Sequence, residues 1–247
     1  MHIHTVLSPC TEIADMTPRA IVHTALAKNL DLIAVCDHNS ARNVAATQRA
    51  ATESRLTVIP GIEVTTSEEV HLVGLFETSQ AAELMQDEVY ARLFGANDEE
   101  VFGYQVVVDE EDLVHDLDQR LLIGATTLST ERVVSLIHGL GGLAIAAHVD
   151  RGGFGIFSQL GFIPADLKLD ALEVSARSSF KEVRNKYRQC KDFPMITSSD
   201  AHYLKDIGKV TTVALLAEPS FKELKKAIAN QAGRRIIEND ETNKLEV

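Results

Sequence analysis

Eight residues of this chain have types and spacings suited to holding cations: His2, His4, His38, Glu63, His71, His148, Asp200 and His202. Imidazole nitrogens and carboxylate oxygens are the donors of borderline divalent ions such as Zn²⁺, Mn²⁺ or Fe²⁺. His2-Ile3-His4 puts two imidazoles two residues apart, on one face of any extended segment. Taken singly, each residue has an ordinary explanation: a histidine at a strand end is commonly a hydrogen-bonded structural group, and Asp200 could cap a helix. Six histidines and two acids together point to bound cations. No thiolate stands in the set, so a closed structural zinc site is not expected. Paired cations about 3.5–4 Å apart lower the pKa of water and clamp phosphoryl oxygens, so the chemistry expected is metal-dependent hydrolysis.

The elements that must position these residues alternate. Apolar, β-rich runs occur at 32–36, 57–59, 62–64, 70–76, 143–147, 172–174, 195–197 and 211–216. Helical patterns lie between several of them. Thr17-Pro18 caps a helix over 19–29, residues 40–55 and 130–140 follow helical patterns, and Ser220-x-x-Glu223 is a capping box before 221–230. Strand and helix in alternation predict a parallel α/β sheet, and the length favours closure into a barrel. Catalytic groups of such a barrel come from the C-terminal ends of the strands. His38, His148 and Asp200-Ala-His202 directly follow predicted strands, whereas His23, His115 and His138 fall within helical or inserted segments. Residues 80–128 break the rhythm, with Asp98-Glu-Glu and Asp109-Glu-Glu-Asp, and are read as an acidic helical insertion over the barrel mouth of a single domain, 1–247.

The chain has 247 residues and a net charge of -12, with 45% hydrophobic and 24% charged residues, which is a globular composition. The acidic balance argues against non-specific nucleic-acid binding, although three divalent cations would add about six positive charges at one place. Cys10, Cys36 and Cys190 do not form a disulfide pattern, and no apolar run reaches membrane-spanning length. A cytoplasmic protein is expected. His2 follows Met1 directly, which leaves open a native start before it.

Four motifs resemble those of the PHP (polymerase and histidinol phosphatase) family: His2-x-His4-Thr5, Asp37-His38-Asn39-Ser40, Ala147-His148-Val149-Asp150-Arg151 and Ser199-Asp200-Ala201-His202. The resemblance covers most of the chain and implies a distorted (β/α)7 barrel with two or three metals at its C-terminal mouth. By position it implies His2, His4, Glu63 and Asp200 around a first ion, and Glu63, His71 and His148 around a second, with Glu63 bridging. His38 and His202 would hold a third with a carboxylate. The family's aspartate beyond the second histidine is missing from Thr5-Val-Leu-Ser-Pro-Cys10, which leaves Asp15, Glu12 or Cys10, with Asp15 preferred. Asp37 is expected to orient a ligand or accept a proton. Arg151 is expected to grip a substrate phosphate, since a guanidinium matches phosphate oxygens in pairs.

These assignments predict a phosphoesterase that attacks with a metal-bridged hydroxide, with Glu63, Asp200, Asp37 and His202 as its catalytic residues. The substrate expected is a small phosphorylated metabolite or nucleotide, since the acidic surface and the 5% aromatic content with no Trp offer little to a long nucleic acid. The amidohydrolase barrel also opens with a His-x-His pair. It differs in bridging its metals with a carboxylated lysine, and no lysine here follows a suitable strand. A non-catalytic metal-binding module is the third reading.

Overall fold

The computed structural model describes residues 1–11 and 15–238. Its strands are β1 (Leu32–Val35), β2 (Thr57–Thr65), β3 (His71–Leu75), β4 (Val106–Val108), β5 (Val114–Leu117), β6 (Leu143–Ala146), β7 (Ala171–Val174), β8 (Met195–Thr197), β9 (Val213–Leu215) and β10 (Arg235–Ile237). Its α-helices are α1 (Pro18–Ala27), α2 (Val44–Ala50), α3 (Ser79–Tyr90), α4 (Glu99–Phe102), α5 (Thr130–Gly139), α6 (Ile156–Gln159), α7 (Phe180–Lys186) and α8 (Phe221–Ile228).

Six strands form one curled sheet in the order β1-β2-β3-β6-β7-β8. The N-terminal segment completes it. Ile3 bridges Val35 on one side and Ala201 on the other, both in parallel. The backbone bonds Cys36 N to Ile3 O, His4 N to Ala201 O and Ala201 N to His2 O stitch it in place. The result is a distorted barrel, as expected, with His2 and His4 on its closing stave.

One strand departs from the predicted parallel sheet. β3 pairs antiparallel with both β2 and β6. Residues 66–70 are too few for a crossover, which needs a dozen or more residues, so the chain must turn back on itself. Thr65 stands opposite His71 as a result, and a histidine that opens its strand reaches the same rim as residues that close theirs.

The runs 57–59 and 62–64 are one strand, not two. Gly61 permits this, because a Cβ there would lie 2.6 Å from Cys36 Sγ and 2.8 Å from Val35 O. Residues 211–216 supply β9, which pairs with β10 outside the barrel.

Side-chain alternation divides the core in two. One face of the sheet packs on the helices through Ile33, Val35, Ile62, Val64, Leu72 and Leu172. The other face lines the barrel with Ala34, Ile59, Val73, Leu75, Ile145 and Ala171, joined by Phe221, Leu224 and Ile228 of α8. Glu63, His71 and Glu173 share the parity of this inner face, so the barrel is filled with hydrocarbon below and with imidazole and carboxylate at the rim.

The cap expected at Thr17 holds, accepting from Ala20 N, and Ser129 caps α5 in the same way, accepting from Arg132 N. The helix expected over 40–55 shortens to α2, because the polar side chains ahead of it are engaged elsewhere. Asn43 donates to Thr5 Oγ1 and Val106 O and accepts from Val108 N, while the Ser40 hydroxyl bonds Gln86 and Tyr90. Their partners beyond residue 80 show that the stretch 80–128 is not simply helical. After α3 and the short α4 it forms an antiparallel hairpin, β4–β5. Leu93, Val107 and Leu122 make a small cluster with Leu7 of the loop after His4. Asn39 Nδ2 donates to Leu122 O and Gly124 O. The segment is therefore fastened to the loops that carry His4 and His38. No helix of the described residues is long and apolar enough to cross a membrane.

Candidate metal centre

Glu63 stands in the middle of the rim. Imidazole nitrogens of five histidines lie around its carboxylate: His71 Nδ1 at 2.9 Å, His38 Nδ1 at 3.0 Å, His148 Nε2 at 3.3 Å, His2 Nε2 at 3.4 Å and His4 Nε2 at 3.5 Å. Asp200 completes the far side, with Oδ1 at 3.0 Å from His4 Nε2, 3.5 Å from His2 Nε2 and 3.6 Å from His202 Nδ1. Sharp backbone turns aim several of these groups. Asn39, His148 and Asp200 all have positive φ, at 50°, 31° and 46°. For residues with a Cβ this costs on the order of 1–3 kcal/mol each and persists only where the surroundings enforce it.

The electrostatics of the cluster are those of a site built to hold charge. Burial alone would push the Glu63 carboxyl up, but the imidazoles of His71, His2 and His38 hold it well below the carboxylate range. Asp200 behaves alike: burial opposes ionisation and is outweighed by His2 and His4. His38 Nδ1 and Glu63 Oε2 are buried 3.0 Å apart without a well-aligned hydrogen bond to either. His2 Nε2 and His4 Nε2 face each other at 3.2 Å. Buried polar atoms without partners are costly, and lone pairs converging on a common centre are what a divalent cation satisfies. The donor set therefore fits bound metal. Three overlapping groups can be drawn, each with its donor atoms within 4.8 Å: His2, His4 and Glu63; His38, Glu63 and His71; and His4, His38 and His202.

The structure brings together His2, His4, His38, Glu63, His71, His148, Asp200 and His202. It places His38 beside Glu63 and His71 as well as beside His202, so His38 is shared between two groups. Asp15 is not brought in. It lies exposed in the turn before α1 and belongs to none of the three groups. Glu12 lies outside the described residues. Cys10 belongs to none of the three groups either and is an exposed residue, but its thiol is close enough to His202 and His38 for their pull to outweigh desolvation and bring it down to about 6.

Asp37 does not touch the cluster. Its carboxylate accepts from Thr5 N at 2.6 Å, Thr5 Oγ1 at 2.7 Å and Ser8 Oγ at 2.8 Å. Because the Ser8 hydroxyl donates to Asp37, it accepts from His4 Nδ1 at 3.0 Å. Asp37 thus orients His4 through Ser8, and its expected part as a proton acceptor has no geometry behind it. Arg151 lies at the rim with Nη1 donating to Asp200 Oδ2 at 2.5 Å, while its Nε has no partner.

Glu173 is a functional residue that the sequence reading missed. Both of its carboxylate oxygens lie 3.1 Å from His2 Nδ1, it accepts from Ser198 Oγ, and it receives His148 N at 3.3 Å. A carboxylate on the Nδ1–H fixes the ring so that Nε2 offers its lone pair to the centre. Its signal was present: an acid inside an apolar strand, Ala-Leu-Glu-Val, is out of place unless it is paired.

Comparison with known proteins gives the family of the chain. The family model for the PHP domain matches residues 1–151, and one for the PHP-associated region matches residues 184–232. The chain belongs to the PHP family. Two curated relatives are 5'-3' exoribonucleases. That of Haemophilus influenzae is 31% identical over 78 residues, covering 30% of this chain and 27% of the relative. Escherichia coli Rnm is 32% identical over 80 residues, covering 30% and 26%. The match thus spans about a quarter of each relative's length.

Among solved structures, the lesion-specific endonuclease Q of Pyrococcus furiosus superposes with a TM-score of 0.68 at 19% identity, covering 96% of this chain and 56% of that one. Endonuclease Q has also been determined with a 27-mer duplex bearing an abasic lesion at its active site. A Bifidobacterium adolescentis protein assigned as a metal-dependent phosphoesterase gives 0.59 at 20% identity, covering 94% and 95%.

These relatives overturn the expectation of a small phosphorylated substrate in place of nucleic acid. Net charge was the wrong measure, since it averages over the whole surface, whereas cations held at the rim would set the field there.

Proposed function

We propose that this PHP chain hydrolyses phosphodiester bonds of nucleic acids with the help of two or three divalent cations. The observation that carries the reading is the Glu63 carboxylate ringed by five imidazole nitrogens within 3.5 Å. His2, His4, Glu63 and Asp200 would hold one cation; Glu63, His71, His38 and His148 a second; and His4, His38, His202 and Cys10 a third. All are donors suited to Zn²⁺, Mn²⁺ or Fe²⁺. Such ions, when bound, polarise the phosphoryl oxygens and lower the pKa of water.

The chain's own residues do the rest. Glu173 and Ser8 fix the tautomers of His2 and His4, so that both rings present Nε2 to the rim. Arg151 holds Asp200 through Nη1 and keeps its Nε buried, so a substrate phosphate would meet the outer part of its guanidinium. With no cation in the third site, His202 at the outer edge would be the group that hands a proton to the departing sugar oxygen; with one bound, it is a ligand.

The test is turnover of bis(p-nitrophenyl) phosphate and of short DNA and RNA strands, with Mn²⁺ or Zn²⁺ and without. Metal-stimulated cleavage is expected, with Glu63→Gln abolishing turnover and lowering the metal content. Wild-type activity in Glu63→Gln, or no phosphodiester cleaved with either ion, would overturn the proposal.

A further inference from the structure

The loop after His148 runs Asp150-Arg-Gly-Gly-Phe-Gly155, and Phe154 is its one large apolar side chain. Its ring stacks on the imidazole of His71, with centroids 4.4 Å apart and planes 21° from parallel. It is 41% exposed and takes no part in the hydrophobic clusters of the described residues. One face of the ring is thus covered by His71 and the other is open to solvent.

The backbone holds the ring there against its own preference. Phe154 has a φ of 60°, where a neighbouring glycine would be unstrained. Its carbonyl accepts from His71 N at 2.9 Å, which ties the residue to the start of β3. The loop is tight at one end and open at the other. A Cβ on Gly155 would meet Arg151 O at 3.0 Å and His148 O at 3.1 Å, whereas Gly152 and Gly153 have nothing within 4 Å. An exposed aromatic face is therefore fixed on a histidine of the candidate metal centre, directly after a pair of glycines that leave room beside Arg151.

Resting on the phosphodiesterase reading above, we infer that Phe154 is a stacking platform for a nucleobase next to the scissile phosphate. The substrate is then a strand read by the flat face of its base, without sequence preference, and not a sugar phosphate lacking a base. The low aromatic content of the chain is no obstacle, because a single ring in this place serves.

The experiment measures binding, so that it does not depend on turnover. Deoxytrinucleotides with hydrolysis-resistant phosphorothioate linkages are prepared with thymine at every position, or with one abasic residue at each position in turn. The wild-type protein is expected to bind the all-thymine strand more tightly than one of the abasic strands. Phe154→Leu keeps hydrocarbon against His71 but lacks the ring. It should weaken binding of the all-thymine strand roughly 5- to 100-fold and leave that of the sensitive abasic strand unchanged. Phe154→Tyr should restore the wild-type value.

Equal wild-type affinity for all of the strands overturns the inference. So does a Phe154→Leu loss that is equal for thymine and abasic strands, which would mark the ring as mere cover for His71. A base preference in a protein that cleaves no phosphodiester would refute the catalytic reading alone. Cleavage without any base preference would refute this inference alone.

Discussion

His2 Nδ1 lies 3.1 Å from both carboxylate oxygens of Glu173, and neither residue is accessible to solvent. Burial disfavours a charge on either partner, yet the attraction between them keeps the Glu173 carboxyl below its ordinary range. Glu173→Gln keeps the shape and removes the charge. The amide can present its nitrogen to Nδ1 and favour the other tautomer, which would turn the Nε2 lone pair away from use. Partners of this kind typically contribute 10- to 100-fold in metal affinity or activity. A loss of about that size is expected in the metal titration, with the fold intact by circular dichroism. Unchanged affinity would show that His2 does not depend on Glu173.

Metal should stabilise the whole barrel, because its ligands come from the N-terminal stave, β2, β3 and the ends of β1, β6 and β8. A ligand that binds only the folded state adds about 2.7 kcal/mol at 100 times its Kd. Stripping the protein with a chelator is therefore expected to lower Tm, and Mn²⁺ or Zn²⁺ should restore it in proportion to the logarithm of concentration. A Tm indifferent to metal in the wild type would count against ligands drawn from so many strands.

Much of the centre was legible because its ligands end strands, and strand ends can be found from apolar runs. His38, His148 and Asp200 needed nothing more. Glu173 was hidden by the same logic, since a run that looks like core invites no question about the acid within it. The hairpin Val106–Val108 with Val114–Leu117 was masked by its acidic turn, whose Asp109 carboxylate accepts from Glu111 N and Leu113 N and shapes the turn. The reversed β3 follows from the length of its loop, a cue that apolar patterning alone does not weigh. The nature of the substrate was misread because net charge carries no information on where the charge lies.

The C-terminal helix offers a stability test away from the site. Ser220 caps it as the pattern predicts, accepting from Glu223 N. Glu223 does not turn back to Ser220. It accepts instead from Ala217 N at 2.9 Å, Lys226 Nζ at 2.7 Å and Arg234 Nε at 2.6 Å. These bonds, that from Arg234 first, lower its carboxyl to about 2. A depressed carboxylate contributes stability above its unfolded pKa, and that contribution is lost as pH falls through the folded one. Glu223→Gln is thus expected to lower Tm at pH 7, with the gap to wild type closing between about pH 4.5 and pH 2. A gap independent of pH would show that shape, not charge, holds the helix end.

The missing carboxylate of the third group can be decided between Asp15 and Cys10. Asp15 is exposed and belongs to none of the donor groups, so Asp15→Asn should leave turnover and metal content as they are. Cys10 is exposed as well, but the pull of His202 and His38 brings its thiol down to about 6, so in metal-free protein it is expected to be a thiolate above that pH. Thiolate is the form that alkylates. Burial pushes the other two thiols the opposite way, Cys36 to about 12 and Cys190 to about 11. Iodoacetamide at pH 7 should therefore modify Cys10 alone, with a half-maximal rate near pH 6, read by peptide mass mapping. Added Zn²⁺ should protect it if His4, His38, His202 and Cys10 share an ion. Labelling of Cys10 that ignores Zn²⁺, together with a metal loss in Asp15→Asn, would return the third site to the aspartate.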